Sequence, residues 1–124
     1  MKKIFSLLVG ALMLIGLNSC EKKLEINEAN IMGKWELTTI TTGDQEVTGG
    51  GQVWELAEGH QLYVYLDGEK TEAGEWRLDG TQLTTRFFPF PATVSKLTEK
   101  NLVLELKEPN SGMVAVKYEF AKVK

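Results

Sequence analysis

The chain is 124 residues long, with a net charge of −3, one cysteine and one histidine. That length suits one domain with a modest core. The acidic balance argues against a nucleic-acid partner and against electrostatic adhesion to anionic lipid, and a lone cysteine excludes an intrachain disulfide and a thiolate cage for zinc.

Lys2 and Lys3 precede an apolar run, Ile4 to Leu17, broken only by Ser6 and two glycines. As a helix rising ~1.5 Å per residue the run reaches ~21 Å, short of a ~30 Å hydrocarbon core, so it reads as an export signal rather than a span. Leu17-Asn18-Ser19-Cys20 closes it and resembles the lipobox of bacterial lipoproteins, in which the cysteine is lipidated and becomes the mature N-terminus. The resemblance implies a signal peptide over 1–19, lipidation at Cys20 and a membrane held through that lipid. An ordinary secretory signal with an incidental cysteine is the alternative. Loss of Lys2 and Lys3 with the signal takes the net charge from −3 to −5.

Residues 20–30 read as a lipidated tether, since Glu21–Asn30 (EKKLEINEAN) is mostly charged or polar. Fully extended, that decapeptide reaches ~33 Å. Asn27 or Asn30 is placed to cap one helical turn through Ile31 and Met32. From residue 31 to 124 the texture is that of a β domain. Gly33–Thr42 is rich in β-branched residues and puts Trp35, Leu37 and Thr39 on one face. Thr42–Gln52 reads as loop, with Gly49, Gly50 and Gly51 in succession. Val53–Ala57, Gln61–Leu66, Gly74–Leu78 and Gln82–Phe88 follow as strands, with turns at Glu58-Gly59, Asp67-Gly68 and Asp79-Gly80. Phe88–Pro91 (FPFP) leaves the ladder because each proline lacks an N–H. Thr93–Leu97, Leu102–Lys107 and Met113–Val123 complete eight strands. Short sequential connections favour an antiparallel up-and-down order, and closure removes the sheet edges. The expected fold is an all-β, small eight-stranded barrel; a two-sheet sandwich is the competitor.

Gly33-Lys34-Trp35 at the start of the first strand resembles the G-x-W signature of lipocalins, and Gly74-Glu75-Trp76 repeats the spacing. With the lipobox, the acidic tether and the small strands, the pattern is similar to small lipocalin-like lipoproteins of Gram-negative bacteria. The resemblance implies a lipocalin-like barrel on the outer membrane, with Gly33 and Trp35 as a structural signature at its closed end. It also implies a basic side chain over the tryptophan. The final strand holds no arginine, which leaves Lys117 or Lys122 for that position.

Residues suited to catalysis are sparse. His60 has Glu58 as its nearest candidate acid, yet a turn residue in solvent is the simpler reading. Glu55 with Glu58, and Glu69 with Glu72, read as solvated pairs. Gly49–Gly51 lacks the lysine and hydroxyl of a P-loop, and no D-x-D-x-D spacing marks a calcium loop. No catalytic residue, metal or cofactor is expected.

With Gly33 at the closed end, as the resemblance implies, strand parity makes the connections alternate between the two ends. The connections Thr42–Gln52, Asp67–Ala73, Phe88–Ala92 and Glu108–Gly112 then fall at the open end. Gly49, Gly50, Gly51, Phe88 and Phe90 are therefore expected at a rim that contacts a ligand or partner. For the aromatic segment the alternative is a plug folded back over the barrel end. The expected function is a lipid-anchored envelope lipoprotein binding a small apolar ligand. Its alternative is a filled barrel that docks an envelope protein through its rim; an enzyme is disfavoured.

Overall fold

The computed structural model describes residues 22–123, so the signal over 1–19, Cys20 and Glu21 lie outside the described residues. A single turn of helix, α1 (Glu28–Ile31), precedes the sheet. The Asn27 side chain accepts from the Asn30 N–H at 2.9 Å and caps it, as a polar residue ahead of so short a turn must. The segment before it does not stand clear of the barrel. Lys23 bridges to Thr98, the Leu24 N–H donates to the Leu97 carbonyl, and Leu24 and Ile26 pack on the core. Among the described residues a free tether is thus confined to the very start. The apolar Leu24 and Ile26, set at a spacing of two among charges, find a buried face.

Nine strands follow: β1 (Gly33–Thr42), β2 (Gln45–Thr48), β3 (Val53–Ala57), β4 (Gln61–Leu66), β5 (Glu69–Asp79), β6 (Gln82–Thr85), β7 (Ala92–Leu97), β8 (Asn101–Lys107) and β9 (Val114–Lys122). They pair antiparallel in the order β2-β1-β3-β4-β5-β6-β7-β8-β9, and β9 returns to β1. The sheet is therefore a closed eight-stranded up-and-down barrel, not a sandwich. β2 is the extra strand: it shares one edge of β1 with β3, Ile40 pairing with Val47 and Trp35 with Trp54.

Three local features depart from simple alternation. Thr42–Gln52 is a β1–β2 hairpin rather than a loop, turning at Gly43 and Asp44. The glycines Gly49–Gly51 form an offset between β2 and β3 beside Leu37, midway along β1. A Cβ on Gly49 would overlap the Leu37 carbonyl, so close backbone approach requires glycine there. On the other edge of β1, Leu37 faces Phe120 and Thr39 faces Glu119, which leaves Thr38 as an extra residue. That bulge reverses the alternation, so Ile40 rather than Thr39 packs on the core. Finally, Asp67-Gly68 is a tight turn and β5 begins at Glu69, not at Gly74.

The closed end is sealed from several sides. Trp35 is 1% exposed, and its indole N–H donates to the Ile31 carbonyl at 2.8 Å. Of the two candidate lysines it is Lys122 that covers Trp35, with its ammonium 4.4 Å from the ring centroid and donating to the Met32 carbonyl at 3.1 Å. Lys117 lies further along β9, near Glu119. Gly33 has φ +131°, and a Cβ there would collide with the Lys122 ammonium. Gly33→Ala is therefore expected to cost about 1–3 kcal/mol, from backbone strain and displacement of the lysine. Urea unfolding of the variant in wild-type and Lys122→Ala backgrounds checks this, because the steric part should shrink in the second.

Aromatic side chains fill the barrel axis. Trp35 and Trp54 are cross-strand neighbours whose indole N–H groups bond in opposite directions, the first to Ile31 and the second to Gln52 Oε1 at 2.6 Å. Trp54 then meets Phe120 with ring centroids 5.2 Å apart, and Trp76 is anchored to the Ala57 carbonyl. Each such ring buries ~150–250 Å², so a few of them saturate a barrel of this size.

Candidate binding cleft at the barrel mouth

β6 is short and meets β7 only through Gln82 with Thr93 and Leu83 with Ala92. Above that contact the chain over 86–91 leaves the ladder, as Pro89 and Pro91 dictate. Its aromatics divide. Phe88 is 7% exposed and sits 5.8 Å from Trp54 and 5.3 Å from Tyr118, centroid to centroid. Phe90 is half-buried against the core. Phe87 is the outward one, 47% exposed, with its ring 5.0 Å from Trp54. Phe88 thus occupies the plug position under the mouth, while Phe87 borders solvent. Gly50 and Gly51 are exposed and Gly49 is buried, all three in the strand offset rather than at a loop tip.

Between β4, β5 and the 86–91 segment lies a cleft of about 370 Å³. Its apolar surface comes from Val64, Leu66, Ala73 and Phe87; Gln52, Thr71, Glu72 and Arg86 supply the polar edge. A β-bulge shapes it: Gln61 faces Glu75 while Tyr63 faces Glu72, so Ala73 and Gly74 together oppose Leu62. Gly74, at φ +93°, leaves room for the stem of Arg86, whose Cδ lies 3.2 Å from where a Cβ would be. This gives the second G-x-W a role distinct from the first. A broader depression of about 520 Å³ runs outside the closed end past Glu55 and Glu58. It is more open than the mouth cleft and sets two carboxylates beside Met32, Leu56 and Ala57.

Among the described residues, the large apolar side chains left exposed share one end of the barrel. Val47, Leu66, Phe87, Met113 and Val114 belong to β2 or to strand ends and connections on the side away from Gly33. Gln52, Leu66 and Arg86 were absent from the expected rim, and Phe87, although part of the same aromatic segment, was not placed there beside Phe88 and Phe90. The proline spacing was the available signal for Phe87, since alternation stops one residue before it.

His60 is at the opposite end, in the turn Glu58–His60, with φ +62°. Its Nε2 lies 2.9 Å from Glu28 on α1, not beside Glu58, and its ring meets the edge of Trp76. Both partners of that pair are substantially exposed. Among the described residues no cluster of three histidine, cysteine or acidic side chains could hold a metal, and no helix is long and apolar enough to cross a membrane.

Burial beside Phe88 holds the Tyr118 phenol above its ordinary pKa of 10.0. The unfolded chain therefore releases this proton first as pH rises past 10.0, and stability should fall there. Burial also lowers Lys122 below 10.5, which works in the other direction up to 10.5. Tyr118→Phe should lose stability less steeply than wild type above pH 10, measured by chemical denaturation.

No protein-family model, curated protein or solved structure matches the chain. The fold and site define a small closed antiparallel barrel, sealed at the end where the chain begins to pack and cleft at the other.

Proposed function

We propose that this chain is a lipid-anchored lipoprotein of a Gram-negative cell envelope whose lipocalin-like barrel binds a small apolar ligand at its mouth. The observation that carries the reading is the 370 Å³ cleft, which falls within the ~300–1,000 Å³ range of small-molecule sites and has an apolar surface edged by Gln52, Thr71, Glu72 and Arg86. The filled axis moves the ligand from the barrel interior to its rim. Chain polarity supports the anchored arrangement. Residues 23–31 lie at the closed end, so a lipid on Cys20 leaves the mouth facing away from the bilayer. Such an anchor adds ~0.8 kcal/mol of membrane affinity per buried CH₂. The protein acts here as a binder rather than an enzyme, with no cofactor and no nucleic-acid partner. Mass spectrometry of protein recovered from membranes tests both parts. The expected result is a lipid-modified Cys20 as first residue, a Cys20→Ser variant that leaves the membrane, and a small apolar molecule in the organic extract. A mature chain beginning elsewhere contradicts the anchor; an empty extract contradicts the ligand.

A second reading is favoured by the five exposed apolar residues at the mouth. In it the solid barrel docks another envelope protein through Val47, Leu66, Phe87, Met113 and Val114.

A further inference from the structure

Two polar groups at the mouth cleft have capacity that the protein does not use. The first is the Gln52 carboxamide. A tryptophan N–H only donates, so the 2.6 Å contact with Trp54 makes the Gln52 oxygen the acceptor and fixes which way the amide faces. Its NH₂ is left as a donor with no hydrogen bond among the described residues. The second is Arg86. Its stem is laid over Gly74, and its guanidinium makes no ion pair among the described residues. An oriented donor and a planar cation with no ion pair among the described residues therefore line the same cleft as the apolar surface of Val64, Ala73 and Phe87.

We propose that the mouth cleft takes an amphipathic monocarboxylate, with the carboxylate on Arg86 and the Gln52 amide and the apolar part on Val64, Ala73 and Phe87. This rests on the reading of the mouth as a small-molecule site. A guanidinium fork matches the two oxygens of a carboxylate. Glu72 on the same cleft restricts the charge, because a dianion such as a phosphate monoester would meet repulsion without a second cation to offset it. The filled axis restricts the tail: Trp54 and Phe88 block descent into the barrel, so the ligand lies across the mouth and is of medium length.

Octanoate and octanol, titrated separately into the purified chain and followed by NMR at the Gln52 side-chain amide and the Arg86 Nε–H, separate the parts of this proposal. The expected result is a shift of both signals by octanoate and an affinity about tenfold above that of octanol. Arg86→Gln should remove that difference, and Glu72→Gln should tighten octanoate further. Equal affinity for acid and alcohol at the cleft overturns the carboxylate site while leaving the apolar-ligand reading intact. No shift at Gln52 with either probe overturns both.

Discussion

Replacing Trp35 by alanine is expected to destabilise the barrel by about 3–5 kcal/mol, the largest effect of any single truncation at the closed end. The indole is 1% exposed, donates to the Ile31 carbonyl and carries the Lys122 ammonium on its face. Its loss removes contacts from α1, β1 and β9 together. A domain of this size has only ~5–15 kcal/mol in hand, so the variant should lose a large share of its stability. Trp35→Phe separates volume from hydrogen bonding: it should lose about 1–2 kcal/mol, for the unpaired Ile31 carbonyl and reduced packing. Urea unfolding curves give both numbers. A loss below about 1 kcal/mol for the alanine variant would mean that Trp35 is not what closes this end.

Two adjacent phenylalanines should respond in opposite ways. Phe88→Ala is expected to cost about 3 kcal/mol or more, because the ring fills the space between Trp54 and Tyr118. Phe87→Ala should change stability by no more than about 1 kcal/mol, since nearly half of that residue is exposed. It should instead weaken ligand binding, as the ring forms one wall of the cleft. Melting and binding measured on both variants test the division. Equal destabilisation would make the whole segment a plug, and loss of binding with Phe88→Ala alone, at unchanged stability, would reverse the assignment.

The eight barrel strands were legible because each carries an apolar face or a run of β-branched and aromatic residues between turn signals. The cap at Asn27 was legible for a similar reason, as a short polar residue ahead of a single helical turn. What escaped had no buried face. Gln45–Thr48 and Glu69–Glu72 are exposed throughout and read as loop, yet backbone pairing does not depend on side-chain polarity where a strand overhangs the mouth. Bulges escaped too. Nothing local in Leu37-Thr38-Thr39 marks the extra residue that turns Ile40 inward; its position is set by pairing with β9, some eighty residues on. The cleft was the least legible part. Gln52, Leu66, Arg86 and Phe87 come together through the short β6–β7 contact and the Gly74 bulge; the prolines mark where 86–91 leaves the ladder but not which residues it then meets.

The central claim is that the mouth, not the barrel axis, holds an apolar ligand. Nile red titrated into the purified chain, with Leu66 intact and with Leu66→Asp, tests it most directly. Leu66 is half-exposed, so the substitution should leave the unfolding midpoint unchanged while charging the apolar surface of the cleft. The account predicts saturable one-site fluorescence in the wild-type protein and its loss in the variant. Binding that survives Leu66→Asp undiminished, or no saturable binding at all, would contradict it.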